Sequence, residues 1–198
     1  MYYIVGLGNP GEEYKASRHN VGRIVIGAFM RFAARKGEVS ELKLNKKIKA
    51  LVASGKMGGE KFQIIFPETF MNKSGLSMKP LISSKKKAEK MIIVHDDIDL
   101  PLGKYKISFG KGSGGHKGVE SIIRNIKTKD FIRIRVGVSP ATPKGKIRKP
   151  KGKKMVDFII GNFKPNESKV LAAVSKKISF ALETILKDGL GKAMSEHN

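Results

Sequence analysis

Two short apolar runs, residues 2–7 and 91–94, constrain the fold more than any other feature of this chain. Each has the length of a strand and breaks off in polar residues. The first ends at Asn9, the second at His95-Asp96-Asp97. Continuous runs of this kind are buried on both faces, as in a parallel sheet covered by helices on each side. Between and beyond them the pattern alternates. From Val21 the positions Val21, Ile24, Val25, Ala28, Phe29 and Phe32 follow helical spacing, with Gly37 as the stop. After a polar linker at 38–47, residues 48–53 and 62–66 read as strands joined through Lys56-Met57-Gly58-Gly59, a hairpin connection. Residues 69–84 hold a weaker helical pattern interrupted by Pro80, and Lys85-Lys86-Lys87 reads as a solvated turn. Residues 103–109 alternate as a strand. A glycine-rich loop at 110–118 then leads into a helix burying Val119, Ile122, Ile123 and Ile126, and 132–138 form a further strand. Pro165 suits the first turn of a long C-terminal helix, with Leu171, Val174, Ile178 and Leu182 on one face and Gly189 past its end. The expectation is α/β: a single domain over 1–198, a mixed twisted β-sheet layered by α-helices, mixed because of the hairpin.

Charge narrows the choice of partner. Lys and Arg number 40 against 17 Asp and Glu, a net charge of +23. An excess of this size costs self-repulsion, and a polyanionic partner accounts for it better than a lysine-rich proteome does. Nucleic acid comes first. A membrane surface finds no support in a long apolar span or a basic amphipathic helix. Residues 144–154 hold seven basic side chains in eleven, broken by Gly145, Pro150 and Gly152, which predicts a mobile basic loop at about 141–155. Without cysteine there is no disulfide, thiolate zinc site or cysteine nucleophile. Residue 2 enters a strand pattern directly, with no signal-peptide pattern before it, so the expected location is cytoplasmic.

Several motifs fail on physical grounds. Gly6-x-Gly8-x-x-Gly11 follows a strand like a dinucleotide fingerprint, but that fingerprint needs a helix opening at once with its amides free. Pro10 removes one amide, and the helical pattern starts only near Val21. The run His95-Asp96-Asp97-x-Asp99 offers carboxylates for a hard cation, yet reads more simply as one useful carboxylate and two solvated ones. Ser113 has Lys111 where a nucleophile elbow needs glycine. What remains is a set of residues at strand ends: Asn9, His19, Asn72 and Asp96. A lone histidine is commonly structural. Paired with a carboxylate it becomes a general base that activates water, while asparagine amides position substrate or donate to an oxyanion.

The segments IVGLGNPGEEYKASRHNVG, FPETFMNKSG, IIVHDDIDLPLGKYKI, GSGGHKGVESI, FIRIRVGV and DFIIGNF together resemble bacterial peptidyl-tRNA hydrolases over nearly the whole chain. The resemblance implies a metal-free, cofactor-free α/β monomer that hydrolyses the ester between a peptide and the tRNA 3′-terminal ribose. It implies His19 as general base, Asp96 as its orienting carboxylate, and Asn9 and Asn72 as residues holding the substrate near the scissile ester. Tyr14, Phe70 and Met71 would line the pocket for the 3′-terminal nucleotide and the peptide. Where the family usually has Asn after the glycine-rich loop, this chain has Lys117, assigned here to substrate binding. Lys104, Lys106, Arg133 and Arg135 are the expected contacts to tRNA phosphates, and the 144–154 loop is either an added grip on the acceptor arm or a solvated loop without that role. The alternative function is a non-catalytic RNA-binding relative on the same fold.

Overall fold

A computed structural model describes residues 1–36, 39–142, 146–150 and 152–198. Seven strands form one sheet: β1 (Tyr2–Gly6), β2 (Lys43–Asn45), β3 (Ala50–Met57), β4 (Glu60–Pro67), β5 (Met91–Pro101), β6 (Tyr105–Phe109) and β7 (Ile132–Ser139). Their order is β2-β3-β4-β1-β5-β7-β6. The two apolar runs are neighbours at its centre, paired in parallel with Ile4 opposite Ile92 and Val5 opposite Ile93. Parallel pairing also joins β1 to β4 and β5 to β7. Antiparallel strands flank this core on both sides, β3 and β2 beyond β4 and β6 beyond β7. The sheet is therefore mixed, and more so than the single predicted hairpin implied.

Alternate side chains of the central strands feed two separate cores, because successive Cβ atoms point to opposite faces. Ile4, Ile92 and Val94 join Val25 and Phe29 of α1 (Val21–Ala34), with Ile178 and Leu182 of α6 (Pro165–Asp188) and Ala193 of α7 (Leu190–His197). Tyr3, Val5, Met91 and Ile93 join Met78 of α2 (Gly75–Met78), Ala88 of α3 (Lys85–Glu89) and Val119 and Ile122 of α4 (Lys117–Ile126). Each fully buried aliphatic side chain contributes about 1.5–3 kcal/mol. Double burial is what the unbroken apolar runs encode.

The glycines that end β1 and open α1 serve packing. A Cβ at Gly22 would lie 2.2 Å from the Val94 carbonyl oxygen and 2.6 Å from the Leu7 nitrogen, and one at Gly6 would lie 2.8 Å from the Gly22 carbonyl oxygen. The first turn of α1 rests directly on β1 and β5.

Several elements differ from expectation. Lys85-Lys86-Lys87 opens α3, where the Ser84 hydroxyl caps the Lys87 N–H, instead of forming a turn. Residues 43–45 of the predicted linker form β2, pairing with β3. β5 continues through Pro101, so His95, Asp96 and Asp97 lie on the strand itself and not past its end. α5 (Lys153–Ile160) begins inside the predicted basic loop, and α7 follows Gly189 where no helix was expected. Within that loop, Ala141 and Ile147 form an isolated antiparallel bridge and Lys149 pairs with Asp99. Residues 143–145 and 151 of the loop, and the predicted helix stop at 37, lie outside the described residues.

The sheet also creates the crevice. The chain leaving β1 crosses to α1 on one face, whereas the chain leaving neighbouring β4 crosses to α2 on the other. Connections that diverge from adjacent parallel strands open a gap beyond their carboxyl ends, where α/β sheets bind ligands.

Candidate active site

Asp96 is buried on β5, the strand that flanks β1 on the side away from β4. Its two carboxylate oxygens accept from His19 Nδ1 at 2.9 and 3.0 Å, and Oδ1 also accepts from His116 Nε2 at 2.8 Å. The tautomers follow from the other partners. His116 Nδ1 accepts the backbone N–H groups of Gly118 and Val119 at 3.1 and 3.3 Å, capping α4, so its proton is on Nε2 and points at Asp96. An ionised carboxylate only accepts, so His19 carries its proton on Nδ1 and keeps a lone pair on Nε2. Burial alone would raise the Asp96 pKa. The charges and hydrogen bonds of His19 and His116 outweigh it and hold the carboxyl well below its ordinary range. For His19, burial lowers the pKa, but the Asp96 charge and hydrogen bond prevail and raise it above 6.5.

His95 is different. Its Nδ1 donates to the Asp96 carbonyl oxygen at 2.7 Å, and burial, reinforced by His116, keeps its pKa well below 6.5. It is a neutral packing group, set edge-on to His116 at 4.6 Å between ring centroids.

His19, Asp96 and His116 place three ligand-type atoms within 4.8 Å of one another. Their chemistry does not fit a resident cation. Metal on His116 Nε2 would move its proton to Nδ1, straight against two N–H donors. Asp97 and Asp99, the other carboxylates of that run, pair with Arg135 and Lys149.

Residues 17–20, the turn carrying His19, are buried despite their polar side chains. Arg18 explains this. Its guanidinium donates to the carbonyls of Asn162 (2.9 Å) and Gly161 (3.2 Å), pairs with Glu167 at 2.7 Å, and lies 4.4 Å over the Phe158 ring. An isolated bridge between Ser17 and Asn162 completes the tie. The stretch DFIIGNF is thus the wall behind His19.

Asn9 is held by a residue the sequence reading passed over. The Asn20 side chain accepts the Asn9 N–H at 2.8 Å and donates to the Asn9 carbonyl at 2.9 Å. Asn9 Oδ1 in turn accepts the Met71 N–H at 2.8 Å, which leaves its NH₂ as the group free to donate. Met71 meets the site through that N–H. Its side chain is core, and a Cβ on Gly118 would lie 2.4 Å from its Sδ. Asn72 is exposed beside it, Phe70 is 57% exposed, and Tyr14 is half-buried at the end of a 3₁₀ turn. Lys117 is exposed at the start of α4, 3.5 Å from Glu120.

The sheet brings Lys106 and Arg135 together in direct register on β6 and β7. They share a cleft of about 380 Å³ under the glycine-rich loop with His95, Asp96, Ser108 and Arg133. Lys104 does not join them. It lines a separate cleft beside Phe180 and His197. Sequence reasoning also missed His116. Its signal was position, an imidazole at the last residue before the helix that follows the glycine-rich loop.

A family model described as peptidyl-tRNA hydrolase matches residues 3–198. The peptidyl-tRNA hydrolase of Syntrophotalea carbinolica is 37% identical over 100% of this chain and 97% of its own length. That of Alkaliphilus oremlandii is 38% identical, with both chains covered in full. A crystal structure of peptidyl-tRNA hydrolase from Acinetobacter baumannii aligns with a TM-score of 0.83 at 28% identity, over 100% of this chain and 94% of that one. With whole-length likeness in sequence and in fold, the chain belongs to the peptidyl-tRNA hydrolase family.

Proposed function

We propose that this chain is an esterase that frees tRNA by hydrolysing the bond between a peptide, or an N-blocked amino acid, and the 3′-terminal ribose. The observation that carries this reading is the buried Asp96 with His19 Nδ1 against it, leaving Nε2 as a base. His19 Nε2 takes a proton from water as the water oxygen bonds to the ester carbonyl carbon and the carbonyl electron pair moves onto oxygen. Collapse breaks the bond to the ribose oxygen, which takes the proton from the imidazolium. The products are a free carboxylic acid and tRNA with its hydroxyl restored. Asp96 favours the charged imidazole between the two steps. The free NH₂ of Asn9 and the exposed Asn72 amide hold the ester and meet the developing oxyanion. Phe70 and Tyr14 offer surface to the terminal nucleotide and peptide, and Lys117 a cation to the substrate. An activated ester suits this machinery, since water is the nucleophile and the leaving group is a sugar alkoxide.

Lys106 and Arg135 are the proposed contacts for acceptor-arm phosphates, because they line one cleft with Arg133, whose Nε is buried without a partner among the described residues; Arg135 shares its charge with Asp97. Lys104, remote from that cleft, meets the acceptor arm elsewhere or not at all. We further propose that the protein acts as a single-domain monomer in the cytoplasm. Among the described residues no helix is long and apolar enough to cross a membrane.

The test is release of N-blocked amino acid from tRNA by wild type and His19→Ala, with EDTA present throughout. Wild type is expected to be active, and the variant slower by about 10²–10⁴-fold. Equal rates would remove His19 from the mechanism, and loss of wild-type activity on adding EDTA would overturn the metal-free chemistry.

A further inference from the structure

The face of the protein formed by α1 and α6 carries a groove that the catalytic machinery does not use. Both helices start beside the Arg18 turn and run side by side, and a cavity of about 500 Å³ lies between them. Its α1 wall is Ile24, Ala28 and Phe32, spaced four residues apart, so one helical stripe faces the groove. Its α6 wall is Ser168, Leu171, Ala172 and Ser175, again one stripe of i, i+3, i+4 and i+7. The small residues on α6 keep the floor shallow and continuous. From Ile24 to Arg35 the trough runs roughly 17 Å, at 1.5 Å per residue. Two parallel helices with facing stripes, and no residue of a third helix lining the cavity among the described residues, have the geometry that receives a helix of about three turns.

The rim determines what kind of helix. Lys15, Arg31, Arg35 and Lys176 border the groove, and no aspartate or glutamate lines it. Lys15 reaches Glu12, but among the described residues Arg31, Arg35 and Lys176 have no carboxylate partner. A floor of Ile24, Ala28, Phe32, Leu171 and Ala172, with serines of which Ser175 and Ser179 bond their own helix's carbonyls, inside a cationic rim is complementary to one apolar stripe flanked by acidic side chains. RNA would satisfy the rim but leave the floor against solvent.

We infer that the α1–α6 groove is a docking site for an acidic amphipathic helix of a partner protein. The floor buries the partner's apolar stripe, and Arg31, Arg35 and Lys176 meet its carboxylates. The groove stands apart from Asp96 but touches its surroundings at one end, where Ala16 accepts the Phe163 N–H at 3.0 Å, close to the strip that holds His19.

The probe is a synthetic fluorescent peptide of about three helical turns. It has leucines at i, i+3, i+4 and i+7 and glutamates flanking them, and its scrambled isomer has the same charge. Anisotropy is measured with the full chain. The helical peptide is expected to bind at least about tenfold more tightly than the scrambled one. Arg31→Glu with Arg35→Glu should remove that advantage. A second variant, Ala172→Trp, fills the floor without changing charge and should block the peptide while tRNA ester hydrolysis stays at wild-type KM. Equal binding of helical and scrambled peptides would overturn the proposal, as attraction to net charge alone. So would a KM for tRNA substrate that rises in Arg31→Glu with Arg35→Glu while peptide binding is unmoved, since the rim would then be an RNA surface.

Discussion

Asp96 is an anion inside the protein, and its neighbours decide whether that is tolerable. Burial favours the neutral acid, but two imidazole N–H donors at 2.8–3.0 Å reverse the balance. The consequence for stability has a definite sign. Asp96, depressed in the folded state, contributes stability above the unfolded carboxyl value near 4 and loses it as pH falls through the folded value. His19, raised above 6.5, contributes fully below that pH, and its contribution fades as pH rises through its folded value. The positioning of Asn9 is equally specific. Asn20→Ala strips both hydrogen bonds from the part-buried Asn9 backbone, for a loss of about 1 kcal/mol in urea unfolding and a fall in kcat. Asn20→Asp keeps the acceptor and loses the donor, so it should recover part of both. Asn9, His19 and Asp96 could be named as candidates from the sequence because an amide, an imidazole and a carboxylate are the side chains acid–base chemistry needs. Asn20 and His116 could not, since each acts through what it holds, and that appears only in three dimensions.

At the scale of elements, the strongest dependence is between segments far apart in the chain. Arg18 binds residues 158–162 and Glu167, so the turn before α1 and the junction of α5 with α6 form one unit. Arg18→Met would leave Glu167 and several carbonyls without their donor at a largely buried site. We expect a loss of about 3 kcal/mol by urea unfolding, with activity falling alongside stability as the His19 wall loosens. The elements that periodicity predicted, α1, α4, α6 and the central strands, are those whose buried faces are written as stripes or unbroken apolar runs. α5 escaped prediction because none of its residues is fully buried and two of its apolar side chains, Val156 and Ile160, face solvent. α7 and β2 were missed for a related reason. Eight and three residues are too few to show a period, and β2 is exposed throughout. The His95–Asp97 run appeared to end its strand because polar residues followed apolar ones. Pairing with β7 carries it onward, opposite Arg135, Val136 and Gly137.

For the molecule as a whole, the net charge of +23 sets how it meets a polyanion. Each phosphate neutralised releases counterions, so binding weakens with salt, with a log–log slope of about −0.7 to −0.9 per contact. KM for a tRNA ester should therefore rise steeply with salt while kcat holds. Lys106→Gln should lower the magnitude of that slope by about one contact, because Lys106 is exposed beside Arg135 in the cationic cleft. Lys104→Gln tests the distinction the fold draws between the two lysines. It lies in another cleft, and its effect on the slope should be independent of that of Lys106. Charge and fold class were open to inspection in the sequence, whereas the sharing of cations among clefts depended on strand register.

The central claim is that Asp96 tunes His19 as the base, and the pH profile of kcat/KM for release of N-blocked amino acid from tRNA, wild type against Asp96→Asn, tests it most directly. Activity needs neutral His19, so the wild-type acid limb should lie above 6.5, where the Asp96 charge has raised it. Without that charge burial prevails, so the limb in Asp96→Asn should move below 6.5 while the plateau falls by about 10²–10⁴-fold. An acid limb that stays in place in the variant would contradict the account.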